Sequence, residues 1–434
     1  MNYIEILILV LSFLIFLSFR VPIAYAIGLA AFVTLIYSMP FLPSVTTLAQ
    51  RMATSLDSFT LSAIPFFILA GQIMNRGGIA VRLINFAKAI VGPLPGGLAF
   101  VNIISCMLFG AISGSAVAAA SAIGGFMNPM MEKDGYDKPF SAAVNITSAT
   151  TGLIIPPSNV LIVYSLASGG VSIAALFIAG YVPGLLLGLA LMLVAAIYSI
   201  IKKYPTDQLV SIKVFLNRFL AALPSLMLLV VVIGGIVGGI FTATEASAVA
   251  VIYTFVLGTL YKEIKLKDMA PILLETIKTS AIVLLLIATS IAMSWVMSYE
   301  NIPQEISSAL LGISENPIVI LILINLILLF VGIFMDMTPA VLIFTPIFLP
   351  IVTAMGMDPV HFGIIMIMNL CIGLCTPPVG SVLFVGCSVA DLKIQKVIKP
   401  MLPLFLAMIA VLIMITYFED ITLWLPRAFG LMDK

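Results

Sequence analysis

Two prolines stand side by side at two places in this chain, in near-identical settings: Gly152-Leu-Ile-Ile-Pro156-Pro157 and Gly373-Leu-Cys-Thr-Pro377-Pro378. A proline inside a helix has no N–H to bond four residues back, and its ring pushes that carbonyl away. The pairs are therefore expected to release the carbonyls of Gly152 and Leu153, and of Gly373 and Leu374. Two other apolar runs break at small and polar residues, Gly110-Ala-Ile-Ser113-Gly114-Ser115 and Asp336-Met-Thr338-Pro339. Ser115 or Ser113 can cap a returning helix, whose free N–H groups and positive dipole end would then face the break. In the second run Thr338 is read as the N-cap, with Pro339 at the first helical position. Asp336 is an acid within apolar sequence, which makes it a functional candidate; a helix cap, a cation ligand and a proton carrier are all open to it. Carbonyl and hydroxyl oxygens suit an alkali cation, and half-helix N-termini suit a carboxylate. The chemistry implied is ion and anion binding. No His or Cys cluster accompanies these residues, so a transition-metal site is not expected.

The elements that must position these groups are membrane helices. The chain of 434 residues is 62% hydrophobic and 9% charged, with a formal charge of +1. That composition marks an all-α polytopic membrane protein set in a lipid bilayer, and gives no sign of nucleic-acid binding. The first apolar run lacks a basic leader and a cleavage site, and reads as a retained span. Ten crossings are expected, at about 3–19, 22–38, 62–75, 139–168, 172–200, 219–240, 245–261, 280–298, 359–388 and 400–418. The segments 97–128 and 316–352 break near their centres at Gly110–Ser115 and Phe334–Pro339, and read as re-entrant hairpins. With the N-terminus outside, seventeen Lys and Arg fall inside and only Arg51, Arg427 and Lys434 outside, a strong positive-inside bias. The segment 299–316 carries Glu300, Glu305 and Glu315 without a Lys or Arg, as an outer loop would.

The two proline pairs lie 221 residues apart, and the match extends beyond them. At that offset residues 129–157 align with 350–378 without a gap, and eight of 29 positions are identical; roughly two or three would match by chance, and repeats of this kind are usually weak. The offset sets Ser115 opposite Asp336, and the amphipathic stretch 79–91 opposite 300–312. Five crossings per half is an odd number, so the halves are inverted. The expected domains are 1–205 (hairpin 97–128, broken helix 139–168) and 206–434 (hairpin 316–352, broken helix 359–388).

Other features are structural in expectation. Thr242-Ala-Thr-Glu245 fits a capping box. His361, the only histidine, reads as interfacial. Cys106, Cys371, Cys375 and Cys387 lie in apolar runs and read as small packing residues. No phosphate loop, nucleophile elbow or zinc motif occurs, so neither an enzyme nor an ATP-driven pump is expected, and no ring of charges suggests a channel.

Four strings, Phe109-Gly-Ala-Ile-Ser-Gly-Ser-Ala, Gly239-Ile-Phe-Thr-Ala-Thr-Glu-Ala, Phe334-Met-Asp-Met-Thr-Pro-Ala and Thr376-Pro-Pro-Val-Gly, resemble the large membrane subunit of the tripartite ATP-independent periplasmic (TRAP) transporters. The resemblance runs nearly end to end. It implies an elevator-type secondary transporter of the bacterial inner membrane, driven by sodium as coupling ion with no other cofactor. It also implies two partners, a small four-helix membrane subunit and a periplasmic substrate-binding protein. The chain begins directly with the large subunit's first span, so the small subunit is expected to be a separate polypeptide. By the same resemblance one sodium site falls on Ser113, Gly152, Ile155 and Pro157, and a second around Asp336, Thr338, Gly373, Thr376 and Pro378. Substrate would lie near Ser115, Asn159 and Ser381. Family members carry C4-dicarboxylates, sialic acid and other carboxylates. The alternative reading is a stand-alone sodium- or proton-coupled dicarboxylate carrier of similar fold.

Overall fold

A computed structural model describes residues 3–206, 211–314 and 316–432. Glu315 and Lys434, which the charge count used, lie outside the described residues. Among those residues the chain forms twenty α-helices and no strand. Seven helices are long and apolar enough to cross a membrane, or eight if the bent pair Phe41–Ser55 and Phe59–Arg76 is one span. Ten crossings were expected. Both broken helices divide into pieces too short to span alone, and Tyr3–Ser18 and Ile23–Ser38 with 16 residues each and Ala63–Arg76 with 14 also fall short, while both arms of the second hairpin, Pro317–Phe334 and Met337–Ala354, are long enough to span.

Both hairpins and both breaks are present. The first hairpin pairs Gly97–Ser113 with Ala116–Lys133, and the second pairs Pro317–Phe334 with Met337–Ala354. The first broken helix runs Lys138–Ala149, passes through a 3-10 turn at Thr151–Leu153, and resumes at Asn159–Ala167. The second runs Pro359–Leu374 and resumes at Ser381–Val389. Both Pro-Pro bonds are cis. The returning arms start at 116 and 337 and end at 133 and 354, each at the 221-residue offset read from the sequence. Thr150 and Cys371 are also 221 apart, and the Cys371 sulfur donates to the Thr150 carbonyl at 3.4 Å. A contact between a residue and its own repeat equivalent lies on the axis relating the two halves.

The halves differ in the region before the hairpins. The first carries two helices there, Phe41–Ser55 and Ala63–Arg76, bent by 63°. At the same offset the second has a single 31-residue helix, Met269–Tyr299. Phe41–Ser55 and the short Asp420–Ala428 were not anticipated. Phe41–Ser55 breaks its seven apolar residues up with polar ones and has only one buried position, Ser44, so it gives no apolar-run signal. The Thr242–Glu245 capping box is formed, with the Thr242 N–H donating to Glu245 at 2.8 Å.

Glycine pairs let each hairpin lie against its break. A Cβ on Gly110 would stand 2.9 Å from the Gly152 Cα, and one on Gly332 would stand 3.0 Å from the Gly373 Cα. No side chain fits between these backbones. Deeper in each half a buried polar pair ties the hairpin's first arm to the broken helix. Ser148 donates to Asn102 at 3.4 Å, and Asn369 donates to Asn325 at 2.7 Å. Asn325 in turn donates to Thr416 at 3.0 Å. Each returning arm then crosses over. Ala116–Lys133 packs on Ser381–Val389 of the second half, and Met337–Ala354 packs on Asn159–Ala167 of the first. The hairpins and breaks thus interlock as one body. Ala63–Arg76, Ala243–Leu260 and Met269–Tyr299, with the two N-terminal helices, form a second body beside it.

His361 is enclosed by the protein. It is 2% exposed, with Nδ1 2.7 Å from the Thr422 hydroxyl. The reason is Asp420–Ala428, which packs over the start of Pro359–Leu374. The four cysteines are buried and free.

Gly110→Ala is expected to destabilise the protein by about 1–3 kcal/mol through overpacking against Gly152. Gly125→Ala, where an added Cβ meets nothing within 4 Å, should be neutral or stabilising. Thermal unfolding of the two variants in detergent makes the comparison; equal behaviour would contradict the close crossing.

Candidate functional site

The two hairpin tips meet at one cavity of 550 Å³. From the first tip Ser113, Gly114 and Ser115 line it, and from the second Asp336 and Thr338. Asn159, the first residue after the first break, reaches the same space. Its side chain lies against the tip: a Cβ on Gly114 would fall 2.7 Å from Asn159 Nδ2. Gly114 has a φ of +63°, which this tight turn requires. Asn159 Oδ1 is buried without a hydrogen-bond partner, so an acceptor at the cavity edge is left unused.

The tips are capped in two ways. The Ser115 hydroxyl accepts the Ala118 N–H at 3.2 Å, which selects Ser115 rather than Ser113 as the cap. In the second hairpin the N-cap is Asp336, whose carboxylate accepts the Met337 N–H at 2.9 Å. The expected assignment of Thr338 as cap and Pro339 as first helical residue is therefore corrected. The helix starts at Met337, so Thr338 and Pro339 are its second and third residues. Proline is tolerated there because the first-turn N–H groups lack helical partners in any case. An aspartate at the N-cap also puts a negative charge on the helix's positive end.

The breaks fulfil the carbonyl expectation unequally. Among the described residues, no backbone N–H bonds the Gly152 or Leu153 carbonyl. In the second break the Gly373 carbonyl is not free: it accepts the Thr376 N–H at 2.9 Å, because the helix tightens before Pro377. The Leu374 carbonyl has no backbone donor, and it lies beside Gly380, where a Cβ would approach to 2.5 Å. Thr376 turns its hydroxyl back to the Ile372 carbonyl at 2.7 Å. Ile155 and Pro157 are buried, with the Ile155 side chain against Gly184. Pro378 and Ser381 are exposed, and neither lines the cavity. Ser115 and Asn159 thus come together, while Ser381 is not among the residues around that space.

Sequence reasoning missed the opposite wall. Gln72 and Asn75 face the cavity from Ala63–Arg76, and Glu275 and Thr279 from Met269–Tyr299. The only trace in the sequence is polar residues at helical spacing within otherwise apolar helices. The lining holds two carboxylates, Asp336 and Glu275, and no Lys, Arg or His. No group of three or more His, Cys, Asp or Glu among the described residues could hold a metal ion.

The family model "Tripartite ATP-independent periplasmic transporter, DctM component" matches residues 10–421. A Salmonella typhimurium protein, the uncharacterized YgiK, is 56% identical, with 98% of each chain covered. The isethionate TRAP transporter permease protein DctMQ of Oleidesulfovibrio alaskensis is 44% identical over 95% of this chain and 65% of its own length. Among solved structures, the YdaH transporter of Alcanivorax borkumensis superposes with a TM-score of 0.64 at 14% identity, covering 90% of this chain and 89% of its own. At that identity the likeness speaks for the fold alone.

Asn159→Ala is expected to raise the half-saturating cargo concentration about tenfold, the scale of one lost hydrogen bond at a buried site. Ser381→Ala should change it less than twofold. Uptake kinetics in proteoliposomes test both, and equal losses would count against this cavity as the cargo site.

Proposed function

We infer the function from one premise: the chain belongs to the DctM family, the large membrane component of tripartite ATP-independent periplasmic transporters. It is accordingly a multi-pass permease of a bacterial inner membrane that serves organic-acid transport within a tripartite system. Our proposal goes further. The chain imports its organic acid together with sodium, and the interlocked hairpin body carries both past the second body in an elevator movement. The N-terminus lies outside, as the charge asymmetry favours. A periplasmic binding protein delivers the cargo, and a small membrane subunit completes the assembly. The DctMQ relative is longer than the segment it shares with this chain.

One observation carries the sodium reading. The cavity between the tips is lined by Asp336 and Glu275 and by no cationic side chain. An organic anion entering alone would meet like charge in a medium of low dielectric. A bound alkali cation removes that opposition. The unbonded Gly152 and Leu153 carbonyls and the Ser113 hydroxyl supply the hard oxygen donors such an ion needs. The first ion is assigned to Ser113, Gly152, Ile155 and Pro157. The second goes to Asp336, Thr338, Gly373, Thr376 and Pro378, and the Thr376 N–H on the Gly373 carbonyl leaves that oxygen its other lone pair. The anion sits beside Ser115 and Asn159, where two half-helix N-termini open onto the cavity.

The decisive measurement is uptake into proteoliposomes under imposed gradients. The chain, its small subunit and its binding protein should accumulate an organic acid only with a sodium gradient. Asp336→Asn and Ser113→Ala should each raise the sodium concentration for half-activation by about tenfold, with expression unchanged; loss of a charge-assisted or neutral oxygen contact is of this size. Uptake driven by protons and indifferent to sodium would sink the coupling. Full-rate uptake by the chain alone would favour a stand-alone carrier.

A further inference from the structure

A second cavity, of 560 Å³, opens where the end of Ile173–Lys202 meets the starts of Lys138–Ala149 and Ile394–Tyr417. Four lysines line it, Lys138, Lys202, Lys396 and Lys399, against one carboxylate, Asp137. Lys202 is paired with Asp137 at 3.4 Å, and Lys138 with Glu132 at 4.0 Å. Among the described residues, no carboxylate lies within ion-pair distance of Lys396 or Lys399. The floor is fixed. Phe140 and Tyr198 stack with ring centroids 4.1 Å apart and planes 3° from parallel. Tyr204 accepts the Asp137 N–H at 3.2 Å and holds that corner. The result is a shaped pocket with an uncompensated positive charge, the chemistry that takes a phosphate group.

The surroundings of the pocket favour one source of phosphate. Lys399, Pro403, Leu406 and Ile413 lie at i, i+4, i+7 and i+14, on one face of Ile394–Tyr417. Leu406 is 58% exposed and Ile413 is 52% exposed. Lysines therefore stand at the head of an apolar lane that runs along the helix, as a headgroup stands above its acyl chains. A soluble phosphate would have no use for that lane. The charge asymmetry assigns this end of the helices to the cytoplasmic face, where anionic lipids and basic pockets between helices meet. We propose that this cavity is a binding site for an anionic phospholipid. Lys396 and Lys399 hold the phosphodiester, and an acyl chain lies along Leu406 and Ile413. The site is separate from the transport cavity and shares no lining residue with it.

The test uses the full-length chain in zwitterionic detergent, titrated with fluorescent cardiolipin, with unlabelled lipids and inorganic phosphate as competitors. The K396Q/K399Q variant should bind cardiolipin about tenfold or more weakly, the scale of two lysine–anionic lipid contacts. Lys278→Gln, a lysine outside the pocket, should leave binding unchanged. Unlabelled cardiolipin should displace the probe, and neither phosphatidylcholine nor inorganic phosphate should. Wild-type affinity in the double variant overturns the proposal, as does an equal loss in Lys278→Gln. Displacement by inorganic phosphate as effective as by lipid would mean a soluble phosphate site, and overturns the lipid assignment. If the double variant does not fold, the single variants Lys396→Gln and Lys399→Gln, each expected to lose about fivefold, give the same decision.

Discussion

Hydrocarbon offers no hydrogen bonds, so every backbone group freed by a broken helix must be matched or enclosed by the protein itself. The structure follows from meeting that demand twice. Each double proline ends a helix in the middle of an apolar chain, and each break is then closed over by a hairpin arm. The arm comes close enough only because glycines face each other, Gly110 on Gly152 and Gly332 on Gly373. On the first break's far side Ile173–Lys202 presents Gly180 and Gly184, where an added Cβ would meet the Ile154 carbonyl and the Ile155 side chain. Small residues at a four-residue spacing are how membrane helices approach closely.

Enclosure couples the two halves. Each returning arm packs against the segment beyond the other half's break, so neither half closes its own site alone. The contact between Thr150 and Cys371 lies at the centre of this exchange. Cys375 adds a second sulfur donor across it, to the Ile146 carbonyl at 3.3 Å. These cysteines do more than fill space, since thiols provide weak donors where two broken helices cross. The hairpin tips face a wall built from other helices, Ala63–Arg76 and Met269–Tyr299. The symmetry stops at that wall, because a bent pair of helices in one half stands opposite a single long helix in the other.

How much of this was legible depended on the range of the physics involved. Proline breaks, hairpin interruptions, a serine cap at Ser113 or Ser115 and the capping box at Thr242 are local consequences of residue type. They were read close to where they occur. The 221-residue offset survived translation into helix boundaries because a repeated fold repeats its breakers. At the tips and breaks the errors were of a single residue or turn, whereas the count of spanning helices, the place of Ser381 and the opposite wall of the cavity differed on a larger scale. Asp336 caps the second returning arm in place of Thr338, and the Gly373 carbonyl is recaptured by the Thr376 N–H. Which of two nearby polar residues caps a helix is a small energy difference, settled by packing around the tip.

By itself, the sequence determined that this is a membrane protein of two related halves, each with a hairpin and a helix broken by paired prolines. Those features rest on hydropathy and on the missing proline N–H, and need no partner from elsewhere in the chain. Only the tertiary structure decided that the halves exchange their returning arms and that His361 is buried beneath Asp420–Ala428. It alone put Glu275, Gln72 and Asn75 around the same cavity as Ser115 and Asp336, with Ser381 outside it. The physical reason is that such placements depend on contacts between residues far apart in the chain. Helical spacing says which face of a helix is polar, but not which other helix that face will meet.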